Sequence, residues 1–438
     1  MNYYSLNNIA PDTTFETAVI KGLAPDRGLY FPESITPLEA SFFENIENLS
    51  NEDIAFQAIK QFVSPEIPED VLKTIVSETL NFDFPVVNLT ESISTLELFH
   101  GPTMAFKDVG ARFMARCLGY FNKNNSNEVT VLVATSGDTG GAVANGFLGV
   151  KGVRVVILYP SGKVSNIQEK QLTTLGQNIT ALEVEGTFDD CQDMVKKAFL
   201  DDELTSIMQL TSANSINVAR WLPQLFYFMF AYKQLKNSAK DIVFSVPSGN
   251  FGNVCAGMVA QKLGLPIKHF IASNNENNVV TRFLESNSYD PKPSVQTVSN
   301  AMDVGNPSNF IRIQAIYKND FETLKSNLSS YSFTDDETKQ ALDEIYKTTN
   351  YIADPHGAVG YLGCQYYLKT NPQAHCVFLE TAHPTKFLDV VKEVIDAEIP
   401  LPPQIKSVID KQKVATAIKG YSEFKTFLTH RANASKKV

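Results

Sequence analysis

One lysine lies in a stretch of small and apolar residues that suits it for amine chemistry. Lys107 directly follows Met-Ala-Phe (residues 104–106), and a helix-like run spans residues 111–120. Apolar surroundings disfavour the ammonium form, so a lysine held there can lose its proton and act as a nucleophile. A neutral amine of this kind forms a Schiff base with an aldehyde. Lysines beside a phenylalanine are more often surface residues whose stems lie on apolar neighbours, so these residues alone leave both interpretations open.

A glycine-rich turn between a predicted strand and a predicted helix provides a candidate anion site. Residues 134–141, here called the first glycine turn, read ATSGDTGG and follow the apolar strand 129–134. Backbone amides at a helix start, together with the hydroxyls of Ser136 and Thr139, can bind a carboxylate or a phosphate. The same composition occurs in ordinary turns of strand–helix units. The hydroxyls of Ser136 and Thr139, with three glycines in the same eight residues, favour the anion site.

A second turn has the same strand–turn–helix context. Residues 245–253, here called the second glycine turn, read SVPSGNFGN. It is neither a Walker loop, since Gly-Lys-Ser/Thr is absent, nor a dinucleotide fingerprint, since GxGxxG is absent. Its backbone can enclose a single phosphate, or it can be a connecting loop, and the residues alone leave both open.

Polar residues near other predicted element ends are further candidates. Thr381 ends the last predicted strand, where ligands of open α/β sheets collect, and could offer a neutral hydroxyl to a ring nitrogen. His383 is expected to cap or pack a helix. Arg220 lies three positions after Asn217 at the start of a long apolar helix. It can bind a phosphate or carboxylate, or make a structural ion pair. The polar segments 299–307 and 354–357 are expected to be irregular loops that turn the chain.

The elements that must position these residues alternate between strand and helix. Strands are predicted at residues 96–99, 129–134, 153–158, 179–184, 241–246, 268–272 and 376–380. Helices are predicted at residues 140–148, 164–175, 189–200, 216–235, 252–263, 320–330, 335–348 and 385–395, with a kink at Pro223. Strands separated by helices of this length imply parallel sheets with right-handed crossovers. The polar segment 406–438 is assigned no element.

Composition excludes several classes of function. The chain has 438 residues and a formal net charge of −10, so it carries no global basic surface for nucleic acid. Five dispersed cysteines without CxxC spacing suit a reducing compartment and argue against disulfides or a zinc site. No signal peptide or membrane-spanning stretch is visible. We therefore expect a cytoplasmic protein with no metal and no membrane partner, active as a monomer or homodimer.

In their order along the chain, seven motifs resemble the threonine synthase family, pyridoxal-phosphate lyases of fold type II, in its bacterial and yeast-like form. They are GLYFP (28–32), FHGPTMAFKD (99–108), ATSGDTG (134–140), NSIN (214–217), PSGNFG (247–252), SNAMDV (299–304) and TAHP (381–384). The resemblance runs over most of the chain. Two residues depart from the family pattern: Pro223 interrupts the helix after NSIN, and Gly357 follows His356 where a small side chain is more usual.

The resemblance implies an α/β fold of type II, with two parallel-sheet lobes plus a mixed N-terminal region. Residues 1–95 would form that region, and residues 96–438 the catalytic region. Within the catalytic region, residues 129–235 would form the smaller lobe, and residues 96–128 with 236–438 the larger one.

The resemblance also implies a role for each candidate site residue. Lys107 would hold pyridoxal 5'-phosphate covalently and later move protons, Asp138 would lie near the cofactor's phenolic oxygen, and Thr381 would face the pyridine nitrogen. The cofactor phosphate would bind to the backbone of Gly249, Asn250, Phe251, Gly252 and Asn253. The substrate would be held by Ser136, Gly137, Thr139 and Arg220.

The implied reaction converts O-phospho-L-homoserine and water to L-threonine and phosphate, the last step of threonine biosynthesis. Two alternatives remain beside it. One is another fold type II lyase, such as a threonine dehydratase or a threonine-synthase-like phospholyase, which would release a ketoacid. The other is a non-catalytic sensor of a phosphorylated metabolite.

Overall fold

The computed structural model describes residues 1–123, 128–237 and 240–435. The chain divides into two compact units. Unit 1 consists of Met1, Phe31–Phe106 and Trp221–Pro400, and unit 2 consists of Asn2–Tyr30, Lys107–Arg220 and Leu401–Val438. Both units are therefore built from segments that are distant in the sequence.

The strands are β1 (Tyr3–Ser5), β2 (Tyr30–Pro32), β3 (Val86–Asn88), β4 (Ile93–Glu97), β5 (Val129–Ala134), β6 (Val153–Pro160), β7 (Ile179–Val184), β8 (Gln209–Ser212), β9 (Ile242–Pro247), β10 (His269–Asn274), β11 (Leu328–Ser332), β12 (His375–Glu380) and β13 (Thr416–Ile418).

The helices are α1 (Phe15–Lys21), α2 (Ala40–Glu44), α3 (Asn51–Val63), α4 (Glu69–Thr79), α5 (Lys107–Phe121), α6 (Asp138–Phe147), α7 (Asn166–Thr173), α8 (Phe188–Phe199), α9 (Asp202–Ile207), α10 (Val218–Trp221), α11 (Leu225–Leu235), α12 (Gly252–Lys262), α13 (Val279–Ser286), α14 (Phe310–Ile316), α15 (Phe321–Asn327), α16 (Asp335–Thr349), α17 (Pro355–Leu368), α18 (Leu388–Val394), α19 (Pro403–Lys406) and α20 (Tyr421–Ser435). Short 3-10 helices cover Ile46–Asn48, Leu222–Gln224, Asn300–Met302 and Pro384–Phe387.

Unit 1 is organised around a six-stranded sheet in the order β11-β10-β9-β12-β4-β3. Its pairs are parallel except for the antiparallel edge pair of β3 and β4. Every residue of β9, β10 and β12 is buried, which is typical of parallel strands covered on both faces. Because β9 and β12 are parallel neighbours, their carboxyl ends open at the same edge of the sheet. The second glycine turn and Thr381 follow those two ends.

Unit 2 contains a five-stranded, fully parallel sheet in the order β13-β7-β6-β5-β8. The first glycine turn connects β5 to α6 at the carboxyl end of a central strand. This is the edge of an open α/β sheet at which ligands bind.

The C-terminal segment, to which sequence analysis assigned no element, is an integral part of unit 2. Strand β13 extends the sheet by pairing with β7, and Phe424 and Leu428 of α20 are fully buried in the core of unit 2. Both lie on the apolar stripe of one helix face, because positions 424 and 428 are one turn apart. Burial of this stripe fixes the segment.

Most predicted elements are present. The predicted helix 320–330 is wrong at its end: α15 stops at Asn327 and the following residues form β11. The chain there completes a parallel edge beside β10, so tertiary pairing overrides local preference. The kink predicted at Pro223 is confirmed, because a 3-10 helix of residues Leu222–Gln224 separates α10 from α11.

None of the helices in the described ranges combines the length and apolar character that crossing a membrane requires. Among the same residues, no group of three or more His, Cys, Asp or Glu side chains is arranged to hold a metal ion.

Candidate active site

The segment that leads to Lys107 is anchored to the end of β12 within unit 1. Ala105 forms an isolated antiparallel bridge with Ala382, and the Phe106 amide donates to the Thr381 carbonyl at 2.8 Å. Met104 precedes this bridge in the left-handed region, with φ of 55°. The chain entering α5 is thus held beside the strand end that carries Thr381.

Lys107 is the first residue of α5 and is half-buried in unit 2. Arg220 donates from Nη1 to its carbonyl oxygen at 2.9 Å and from Nε to the carbonyl of Ala213 at 2.8 Å. The two segments touch closely, since a Cβ at Gly110 would lie 2.5 Å from the Arg220 carbonyl oxygen. Arg220 is 4% exposed and therefore fixes the main chain at the start of α5. Its direct contact with substrate stays a prediction.

The first glycine turn is shaped by a buried threonine. The Thr135 hydroxyl accepts from the amides of Gly137 at 2.9 Å and Gly140 at 2.8 Å. Ser136 and Thr139 are half-buried, and within the described part of the chain neither hydroxyl is hydrogen-bonded. Two hydroxyls therefore remain available to a ligand beside the helix start, and the binding of a carboxylate there stays a prediction.

Asp138, the first residue of α6, is held by a residue that sequence analysis missed. Gln168 of α7 donates from Nε2 to Asp138 Oδ1 at 2.9 Å, and the two side chains are 1% and 5% exposed. Gln168 also forms a capping box with Ser165. The Ser-x-x-Gln spacing predicts that capping box, but not the contact with Asp138. Gly137 has φ of 141°, and a Cβ there would lie 2.4 Å from the Gln168 side chain.

The second glycine turn has the geometry of a phosphate site. Phe251 caps α12 in the left-handed region, with φ of 60°. A Cβ at Gly249 would lie 2.7 Å from the Cα of Met302, so only glycine fits there. Asn253 Nδ2 donates to the Pro247 carbonyl at 2.8 Å and holds the two sides of the turn together. The first amides of a helix have no intrahelical acceptor and form the positive end of the helix dipole, so this turn fits the phosphate of a phosphorylated cofactor.

Asn250 is fixed from outside the turn. Its Oδ1 accepts from the Ser308 amide at 2.6 Å, and its carbonyl accepts from Asn309 Nδ2 at 3.1 Å. Asn309 is fully buried. Residues outside the second glycine turn therefore hold its conformation through hydrogen bonds.

Thr381 is 6% exposed and lies at the edge of the sheet where the second glycine turn begins. Phe378 of β12 pairs with Ser245 of β9. Continued by three residues in the same register, the two strands place Thr381 opposite Ser248. Unit 1 thus brings together the two groups predicted for the cofactor phosphate and ring nitrogen. Unit 2 separately brings together Asp138, Gln168 and the hydroxyls of the first glycine turn.

His383 caps the 3-10 helix that follows, as the sequence predicted. Its Nδ1 accepts from the Thr385 amide at 3.2 Å, which requires the unprotonated nitrogen. Burial lowers the pKa of His383 to about 4, which keeps the ring neutral near pH 7.

The segment 354–357 was predicted to be an irregular loop, and that prediction is wrong. Asp354 is the N-cap of α17, where its carboxylate accepts from the His356 amide at 2.6 Å, and Pro355 occupies the first helical position. An acidic N-cap followed by proline is a readable helix start. Glu380 Oε1 accepts from the Asp354 amide at 2.5 Å, and burial raises the pKa of Glu380 well above its ordinary value. The departure at Gly357 has a steric cause, because a Cβ there would lie 1.8 Å from Glu380 Oε2.

Three family models match the chain. The model for pyridoxal-phosphate dependent enzymes matches residues 94–381, the one for the threonine synthase N terminus matches residues 2–80, and the one for the threonine synthase C-terminal region matches residues 357–427. The last match includes the segment that forms β13 and part of α20.

Relatives match over nearly their full length. Threonine synthase from Buchnera aphidicola subsp. Acyrthosiphon pisum is 42% identical over 438 residues, covering 98% of this chain and 100% of that protein. The crystal structure of threonine synthase from Escherichia coli is 38% identical, with a TM-score of 0.93 and coverage of 98% and 100% of the two chains. The X-ray structure of PLP-bound threonine synthase from Brucella melitensis is 33% identical, with a TM-score of 0.91 and coverage of 99% of both. The predicted fold type II architecture is confirmed.

Proposed function

The chain belongs to the threonine synthase family of pyridoxal-phosphate-dependent lyases, and from this premise we propose that it converts O-phospho-L-homoserine and water to L-threonine and inorganic phosphate. The observation that carries the proposal is the second glycine turn, whose capped helix start and close backbone packing at Gly249 fit a phosphorylated cofactor. The match to threonine synthases at both ends of the chain favours this reaction over that of a dehydratase.

Five consecutive residues, Gly249 to Asn253, bind the cofactor phosphate in this proposal. The amides of the first helical turn donate to its oxygens, while Asn250 and Asn253 keep the turn rigid through their side chains. Thr381 would offer a neutral hydroxyl to the pyridine nitrogen. When bound, pyridoxal phosphate supplies an electron sink for the carbanions that form as the substrate loses its α- and β-protons.

The first glycine turn binds the substrate carboxylate. Ser136 and Thr139 donate their hydroxyls, and Gly137, which packs against the Gln168 side chain, lies between them in the turn. Asp138, which Gln168 orients, would interact with the phenolic oxygen of the cofactor. Arg220 completes this arrangement by holding the main chain of Lys107 in place.

Lys107 holds the cofactor and moves protons through its Nζ atom. A single amine serves both steps because the α- and β-carbons of the substrate are adjacent, so one Nζ reaches both after a small displacement. Met104 and Ala105, which precede Lys107 in the chain, are buried, at 1% and 0% exposed.

We also infer that the enzyme works in the cytoplasm, as a monomer or a homodimer. All five cysteines are free thiols and buried, which suits a reducing compartment.

The test combines a spectrum, a peptide map and a product assay. The purified protein should show the visible absorbance band of a lysine-bound pyridoxal phosphate, and Lys107→Ala should lose it. Borohydride reduction followed by peptide mapping should place the cofactor on Lys107. Incubation with O-phospho-L-homoserine should release threonine and phosphate in equal amounts. The matched control is Lys151→Ala, an exposed lysine of unit 2, which should keep the band and the activity.

Three results would contradict the proposal. A cofactor adduct on another side chain would remove Lys107 from its role. Release of a ketoacid instead of threonine would indicate a dehydratase or a phospholyase. Ligand binding without any product, retained in Lys107→Ala, would indicate a sensor.

A further inference from the structure

A series of buried hydrogen bonds in unit 1 connects the strand end at Ala382 with the segment packed against the second glycine turn. Asp354 Oδ2 accepts from the Ala382 amide at 3.2 Å. Asp354 Oδ1 is 2.5 Å from His356 Nδ1, and His356 Nε2 accepts from the Ala301 amide at 3.2 Å. Asp354 and His356 are 0% and 2% exposed. Water therefore does not compete for these bonds.

The far end of this series reaches the turn itself. A Cβ placed on Gly249 would lie 2.7 Å from Met302 Cα and 3.1 Å from the Ala301 carbonyl oxygen. The backbone of residues 301–302 thus lies directly against Gly249. A displacement of Ala301 cannot occur without moving the second glycine turn or opening a gap beside it.

The protonation state follows from the hydrogen-bond partners. A ring nitrogen that accepts an amide proton carries none of its own, so Nε2 is bare and the proton of His356 sits on Nδ1. From there it is donated to the carboxylate of Asp354. Neither residue reaches the surface, and each acts on the site through a backbone amide: His356 through Ala301 and Asp354 through Ala382.

We propose that Asp354 and His356 are positioning residues that hold the second glycine turn and the Thr381–Ala382 strand end at a fixed separation, so that one ligand contacts both. This inference rests on the proposed function, because it takes the ligand to be pyridoxal phosphate. A purely structural role would be the capping of α17, which needs only the bond from the His356 amide to Asp354. The bonds to Ala301 and Ala382 are not needed for capping.

The main test is His356→Phe. Phenylalanine keeps an aromatic ring near Phe387, which lies 4.8 Å from the His356 ring centroid, but it loses the bonds to Asp354 and Ala301. The cofactor-free protein is titrated with pyridoxal phosphate. The Kd should rise about tenfold or more, equivalent to about 1.4 kcal/mol. Both the phosphorus NMR signal of the bound phosphate and the visible absorbance maximum should shift, because both ends of the site lose their common support.

His375→Phe is the matched control. His375 is also a buried histidine, 6% exposed and hydrogen-bonded to Ser94 at 2.8 Å, but it lies at the opposite end of β12. Its loss should lower the melting temperature and leave the cofactor Kd within twofold of the wild type. A loss of stability that both variants share is then distinguished from a change in cofactor affinity that only His356→Phe shows.

Asp354→Asn is the second variant. If His356→Phe does not fold, Asp354→Asn alone tests the positioning role. Asparagine keeps an acceptor for the His356 amide but cannot accept from both His356 and Ala382 as a carboxylate does. It too should raise the Kd and shift both signals. Wild-type Kd and unshifted signals in either folded variant would overturn the proposal, as would a shift confined to one signal. If the wild type binds the cofactor but makes no threonine, the proposed function fails, and the comparison of Kd values still tests the positioning role.

Discussion

Gly357 is expected to be intolerant of a single methyl group. An added Cβ would lie 1.8 Å from Glu380 Oε2 and 2.6 Å from its Cδ, whereas ordinary contacts begin at 3.4 Å. The carboxyl group would therefore have to retreat by about 1.6 Å, the difference between the two contact distances. Glu380 is fully buried and accepts from the Asp354 amide at 2.5 Å, so retreat breaks that bond. Overpacking costs about 1–3 kcal/mol and an unpaired buried amide about 1–3 kcal/mol more.

Gly357→Ala should thus lower the free energy of unfolding by about 4 kcal/mol, a large share of the roughly 5–15 kcal/mol typical of a folded protein. Urea denaturation at fixed cofactor concentration measures this, provided that m is unchanged. Gly141→Ala is the control, because an added Cβ in α6 meets only ordinary contacts of 3.4 Å and longer. That helical substitution should stabilise by up to about 1 kcal/mol.

A double-mutant cycle makes the prediction specific to Glu380. In a Glu380→Ala background the obstructing carboxyl group is gone, so Gly357→Ala should cost less than about 1 kcal/mol. An equal cost in both backgrounds would refute the steric explanation. So would a stabilisation like that expected for Gly141→Ala, since the same methyl group would then meet no obstacle.

Three further perturbations test separate parts of the molecule. Gln168→Met should lower kcat/KM about tenfold because it releases Asp138. Gln168→Glu should lower kcat/KM further because it places a second negative charge beside Asp138. Equal losses in steady-state assays would mean that Gln168 only fills space. Burial lowers the pKa of His269 to about 4, so its neutral form contributes stability that is present above pH 6.5 and lost as pH falls towards 4. The free energy of unfolding measured in urea should therefore fall by about 2 kcal/mol from pH 7 to pH 5. His269→Gln should reduce this pH-dependent loss, and an unchanged loss would exclude His269 as its source. Phe424→Ala should lower the free energy of unfolding by about 3–5 kcal/mol because this side chain is fully buried in the core of unit 2. Phe427 is only partly buried, so Phe427→Ala should cost less. Thermal melting compares the two variants, and equal small effects would mean that α20 does not stabilise the unit.

The sequence was sufficient for features that depend on neighbouring residues. Strands β5, β9 and β12 are buried at every position and mostly apolar because parallel strands are covered on both faces, so each was predicted nearly to its ends. The glycines of both turns marked places where the backbone bends or touches another segment. The helix start at Asp354-Pro355 was equally local, and its assignment to a loop was avoidable.

The sequence was not sufficient for contacts that join distant segments. Gln168 lies thirty positions after Asp138, and nothing in the spacing indicates that the two side chains meet. The end of α15 became a strand because β10 offers a free edge, which only the assembled sheet provides. The role of Gly357 was equally hidden, since the group that excludes a side chain there belongs to β12. Each of these cases depends on tertiary packing, which a single sequence does not display.

Asp354 shows why stability and ligand binding are hard to separate in unit 1. One carboxylate caps α17, receives the Nδ1 proton of His356 and accepts from the Ala382 amide. Burial and the nearby Asp354 carboxylate raise the pKa of Glu380 well above its ordinary value, which disfavours a negative charge on Glu380 beside Asp354. The three N–H groups that surround Asp354 compensate a buried negative charge at this carboxylate. The helix start that stabilises the unit therefore also fixes the strand end proposed to face the cofactor ring, and a substitution there must affect both properties.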